Sequence, residues 1–140
     1  MASAAVLYTP EVLSLATSLT KWPWDEAMTL QGEARSSTCG STIAVGLALT
    51  PDGRIEHFGL RVHACAIGQG SAAIFAAAAA GLDRAAIARS AQAMEQWLRG
   101  SGPMPDWPQL SQIAAARDYP ARHGAIMLPW KAALAALPSG

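Results

Sequence analysis

The segment from Ser36 to Ser71, SSTCGSTIAVGLALTPDGRIEHFGLRVHACAIGQGS, constrains the fold more than any other part of the chain. Between Thr42 and Thr50, Ile43, Val45, Leu47 and Leu49 alternate with small residues, which is the period of a buried strand. Between Arg54 and His63, Phe58, Leu60 and Val62 alternate with His57, Arg61 and His63, so one face is apolar and the other polar. Thr50-Pro51-Asp52-Gly53 joins the two runs with turn chemistry, Pro presetting φ and Gly supplying the conformation other residues resist. A hairpin returns its two ends to one place. The two cysteines of the chain, Cys39 and Cys65, fall just before and just after this hairpin, so the pattern predicts a convergent thiol pair.

The flanking segments extend this nucleus. Met28 to Arg35 reads as a strand with Met28, Leu30 and Ala34 on one face, and short connections make the three strands an antiparallel meander. Upstream, Thr9-Pro10-Glu11 is a helix start: a capping Thr, Pro in the first turn and an acid at the positive end. Val12, Leu13, Leu15, Ala16 and Leu19 follow at helical spacing, with a stop near Thr20 and an extended Trp22-Pro23-Trp24. Those two Trp side chains either cover the core or form a partner surface.

From Ala66 the period changes to helical. Ala66 to Ala80 reads as a helix of small residues ended by Gly81, and Asp83 to Leu98 as a second with Ile87, Ala91, Met94 and Leu98 as its stripe. A loop at 101–105, a short helix over 108–116 and a closing helix from Gly124 or Ala125 to Leu137 complete the chain, with Pro129 expected near the first turn of the last helix. Strands first and helices after predict an α+β fold, a three-stranded antiparallel meander covered on one face by four to five helices, as one domain over residues 1–140.

Composition narrows the function classes. Half of the 140 residues are apolar, 14% are charged, and the formal net charge is zero with no basic run, so neither nucleic acid nor an acidic membrane surface is an expected partner. The most apolar stretch, Ala72 to Leu82, is far below the ~20 residues that span a bilayer. No signal-peptide pattern opens the sequence, and two cysteines do not make a secreted disulfide framework, so a cytoplasmic location with reduced thiols is expected, as monomer or weak homodimer.

Cys39 sits in Thr38-Cys39-Gly40-Ser41, where Gly40 lets backbone approach a bound atom closely, and Cys65 at the junction of the third strand with a helix. A helix N-terminus favours the thiolate, the form that ligates metal and attacks sulfur. The alternative is that either cysteine is simply a small buried hydrophobe. His123, ahead of the last helix, is an imidazole candidate to join the thiols, His63 a weaker one on an outward strand position, and His57 is further still.

Several short motifs in order resemble the NifU/IscU/SufU iron–sulfur scaffold family: Tyr8-Thr9-Pro10-Glu11-Val12-Leu13 its opening helix, Thr38-Cys39-Gly40-Ser41 its Cys-Gly-Asp motif, and Ala64-Cys65-Ala66-Ile67 with Gly70-Ser71-Ala72 its second Cys and small-residue helix. Leu128-Pro129-Trp130-Lys131-Ala132-Ala133-Leu134 is similar to the closing helix, and the stretch 101–108 to an extra segment of the SufU branch. The resemblance implies Cys39 and Cys65 as ligands of a transient [2Fe–2S] cluster or iron, with His123 auxiliary, and a cysteine desulfurase and acceptor apoproteins as partners. It also implies zinc and sulfur transfer as the alternative, as in the SufU branch. Two departures stand out: Ser41 replaces the Asp, and the place of the third Cys falls on Gly124 or Ala125. A degenerate adaptor that keeps the fold without a metal site is therefore a third reading, with Trp22, Trp24 and the 101–108 loop as its surfaces.

Overall fold

A computed structural model describes residues 7–37 and 40–138. Thr9 caps α1 (Pro10–Thr17): its hydroxyl accepts from the Val12 N–H at 3.2 Å. A 3₁₀ turn over Ser18–Lys21 then ends this helical stretch. Val12 and Leu15 are buried, whereas Leu13, expected in the same stripe, is 50% exposed. The helix is too short for its apolar residues all to share the narrow arc facing the core.

Three strands follow, β1 (Leu30–Arg35), β2 (Thr42–Leu49) and β3 (Ile55–His63), antiparallel in the order β1-β2-β3. At the turn between β2 and β3, Thr50 donates to the Asp52 carboxylate and Arg54 pairs with it at 3.1 Å. The Thr50 hydroxyl first, and Arg54 after it, hold the Asp52 carboxyl below its ordinary value.

The register sorts the sheet into two faces. Gly32, Val45 and Leu60 form one row of the inner face, flanked by Leu30, Leu47 and Phe58 and by Ala34, Ile43 and Val62. The helices α2 (Ala66–Ala79), α3 (Arg84–Leu98) and α4 (His123–Ala136) lie on this side, and α4 runs directly over β1. Gly32 makes that approach possible, since a Cβ there would stand 2.2 Å from the Ala132 carbonyl oxygen. Phe75, Trp107 and Trp130 fill the centre with ring centroids 5.1–5.6 Å apart, and the Trp107 indole donates to the Ile74 carbonyl at 2.9 Å.

Covering one face with helices describes only part of the arrangement. The chain leaving the Ser18–Lys21 turn wraps the free edge of β3, where the Leu60 N–H donates to the Trp22 carbonyl at 3.0 Å and Trp22 stacks on Phe58. It then crosses the outer face to reach β1. A Cβ at Gly59 would come within 2.3 Å of the Pro23 carbonyl oxygen, and one at Gly46 within 3.2 Å of Met28 Cβ. Met28 therefore belongs to this crossing and packs on the outer face, two residues before β1, rather than on the core face with Leu30.

Three further expectations change. The closing helix begins one residue early, at His123, so Pro129 is its seventh residue and lies inside it. The carbonyl that Pro129 deprives of its helical N–H is that of Ala125, and the Ser71 hydroxyl on α2 ties the helix nearby by donating to the buried Ile126 carbonyl at 2.6 Å. Over 108–116 the chain forms instead a 3₁₀ segment, Leu110–Asp118, after Gln109 at φ 68°. Trp107 is core, not surface, while Met104 in the same loop is 44% exposed. No described helix is long and apolar enough to cross a membrane.

Candidate functional site

The hairpin does bring its base together: Thr42 pairs with His63, so the start of β2 adjoins the end of β3. The β1–β2 connection is closed by the Ser36 N–H donating to the Ser41 carbonyl at 2.8 Å, and the Gly40 N–H donates to the Ser36 carbonyl at 3.2 Å. Gly40 takes φ +70°, the conformation in which glycine is favoured. Cys39 lies in this connection but outside the described residues. Ser41, at the place of the acidic ligand, is 4% exposed.

Cys65 is the N-cap residue of α2, extended at φ −64° and ψ 170°, half-buried, and a free thiol that makes no capping hydrogen bond. Its carbonyl accepts from the Gln69 N–H at 2.9 Å, and the Gln69 side chain donates to the Ala64 carbonyl at 2.8 Å. Gln69 thus ties the first turn of the helix to the residue before the thiol. The sequence reading assigned it nothing, although a polar residue four positions after Cys65 in an otherwise apolar helix was the available signal.

Gly124 and Ala125, the two candidates for the third place, have different surroundings. A Cβ at Gly68 would come within 2.7 Å of Ala64 Cβ and 3.4 Å of Ala125 Cβ, so Ala125 faces the first turns of α2. Gly124 instead lines a groove of about 230 Å³ between α3 and α4, together with His123, Glu95 and Arg99. His123 Nε2 donates to the Arg117 carbonyl at 2.6 Å, so that nitrogen is engaged away from any ligand. His63 is exposed at the end of β3 on the outer face. Among the described residues no group of three or more His, Cys, Asp or Glu side chains is placed to hold a metal ion, so Cys65, His63 and His123 do not converge by themselves.

The donor set is therefore sparse. Iron–sulfur clusters are ordinarily held by four thiolates, with imidazole substituting at some sites. Of the two thiols in the sequence the structure describes Cys65, which by itself offers a metal a single thiolate.

No protein-family model and no curated protein sequence matches the chain. Solved structures do. A nitrogen-fixing NifU-like protein (N-terminal) from Brucella abortus superposes with a TM-score of 0.84 at 27% identity, covering 94% of this chain and 92% of that one. A protein assigned as an iron–sulfur cluster assembly scaffold for the SUF system of the thermophile Fervidobacterium islandicum AW-1 superposes with a TM-score of 0.85 at 19% identity, covering 97% of this chain and all of that one. The antiparallel meander, the helices on its inner face and this likeness over nearly the whole length make the chain NifU/IscU/SufU-like.

Proposed function

We propose that the protein is an iron–sulfur cluster assembly scaffold in which Cys39 and Cys65 hold iron, sulfide or a transient [2Fe–2S] cluster as cargo for delivery to apoproteins. The observation that carries the reading is the end-to-end likeness to the NifU-like and SUF-system proteins, combined with a hairpin whose base pairs Thr42 with His63. Both cysteines flank that base in sequence, three residues before Thr42 and two after His63. A cysteine desulfurase is the proposed sulfur donor. With Ser41 in the acidic place and Ala125 in the third thiol place, the cargo is held by fewer protein atoms than four, which favours release. Nε2 of His123 joins the set only if its bond to Arg117 is given up, which leaves Nδ1 as the ring atom to offer.

Anaerobic reconstitution with ferrous iron and sulfide tests this. The expected result is sulfide-to-iron charge-transfer absorption that disappears in both Cys39→Ala and Cys65→Ala. Absorption that survives either substitution, or none in the unaltered protein, contradicts it.

The second reading is a zinc-binding sulfur-transfer accessory, since zinc accepts mixed Cys/His ligands and tolerates an open position. Stoichiometric zinc in freshly purified protein, lost on Cys39→Ala, selects it over the cluster reading.

A further inference from the structure

The crossing of Pro23–Met28 covers only part of the outer sheet face. Beyond it the register places Glu33, Ala44 and Arg61 in one row, and Arg35, Thr42 and His63 in the next. Cross-strand partners point to the same face. With strands ~4.8 Å apart, side chains of β1 and β3 stand about 10 Å apart on either side of β2. Ala44 and Thr42 on β2 are small, so the middle strand is a floor and the outer two are walls. These six residues line a cleft of about 360 Å³. One end is closed where Met28 and Trp24 lie over Gly46. The other runs out at Thr42 and His63, beside Ser41 and the Ala64–Cys65 junction.

The cleft is charged in a lopsided way. Arg35 and Arg61 face a single carboxylate, Glu33, with the His63 imidazole beside them, in a chain whose formal net charge is zero. The two ion pairs among the described residues lie elsewhere, Asp52 with Arg54 and Glu56 with His57. Arg61 is already positioned, its guanidinium 4.3 Å from the centre of the Trp24 ring. Glu33, Arg35, Arg61 and His63 are all exposed.

We propose that this trough docks an extended acidic peptide segment of a partner protein, laid along β2 with carboxylates on Arg35 and Arg61. An extended chain repeats its side chains toward one face every two residues, about 6.7 Å, which is also the spacing of the two rows along β2. Guanidinium groups bind carboxylates as two-pronged pairs, stronger than neutral hydrogen bonds. A nucleic-acid backbone fits poorly, because the Glu33 carboxylate stands in the wall and the lining offers only two guanidinium groups. The surface contains neither cysteine and does not depend on the scaffold reading, but a segment lying in it ends beside Cys65.

The test uses the full chain and an acetylated, amidated heptapeptide alternating Glu and Thr, followed by amide chemical shifts at low salt. Shifts are expected at 33–35, 42–44 and 61–63, with affinity falling as salt rises. Arg35→Glu and Arg61→Glu are each expected to weaken binding by about tenfold or more, and Glu33→Gln to strengthen it, a gain that unfolding cannot mimic. Equal binding of the alternating Gln and Thr peptide, unchanged affinity in both Arg variants, shifts mapped elsewhere, or no binding at millimolar peptide overturns the proposal. Tighter binding of a single-stranded oligonucleotide of equal charge also overturns it. Iron and sulfide reconstitution reads the scaffold function separately, so the failure of one is distinguishable from failure of the other.

Discussion

Ala125 and Gly124 are neighbours in sequence with different surroundings: one faces Gly68 at the start of α2, the other the groove that His123 lines. That difference makes a single-residue prediction. Ala125→Cys puts a third thiol toward the Cys65 end of α2 and is expected to tighten zinc binding by at least about tenfold, since a further thiolate completes a common zinc donor set. Gly124→Cys is expected to leave it unchanged. Competition titration with a chromophoric chelator reads both. Ser71 makes a second prediction. Its hydroxyl donates across the α2–α4 interface to the buried Ile126 carbonyl. Ser71→Ala is expected to cost about 0.5–1.5 kcal/mol, the net worth of one hydrogen bond, since the Ile126 carbonyl keeps its helical donor. Urea denaturation measures it.

At the scale of elements, two close approaches hold the layers together, and each passes over a strand glycine. Gly32→Ala would drive a methyl group into the α4 backbone, 2.2 Å from the Ala132 oxygen and 2.5 Å from the Ala136 nitrogen. A helix packed on a sheet cannot yield locally, so a loss of about 3 kcal/mol or more is expected. Gly59→Ala meets the Pro23 oxygen at 2.3 Å, but a loop can lift, and about 1–3 kcal/mol is expected. Thermal unfolding orders the two, and a Gly59 variant less stable than the Gly32 variant would contradict the account. These glycines also mark where sequence reading stopped. Alternation along β2 and β3 exposed the strands, but Gly46 and Gly59 looked like small spacers. Nothing local showed that Pro23–Met28 crosses above them, so Met28 was drawn into β1.

At the scale of the molecule, legibility followed the range of the interactions. The thiol at the head of α2 was readable because the period changes from two to helical between His63 and Ala66. The meander was readable because its connections are short. Gly124 and Ala125 read alike in sequence, since only the packing of α4 against α2 gives them different surroundings. His123 read as a candidate because its tie to the Arg117 carbonyl is tertiary. The outer trough went unread because Arg35, Arg61 and His63 look like an ordinary solvated face until the register aligns them. The central claim is that Cys39 and Cys65 act as one site. Cobalt(II) titration tests it most directly, because sulfur-to-cobalt charge-transfer intensity reports the number of thiolates on the metal. The expected result is one cobalt per chain with the intensity of two thiolates, reduced in both Cys39→Ser and Cys65→Ser. Two independent one-thiolate sites, or a band indifferent to either substitution, would contradict it.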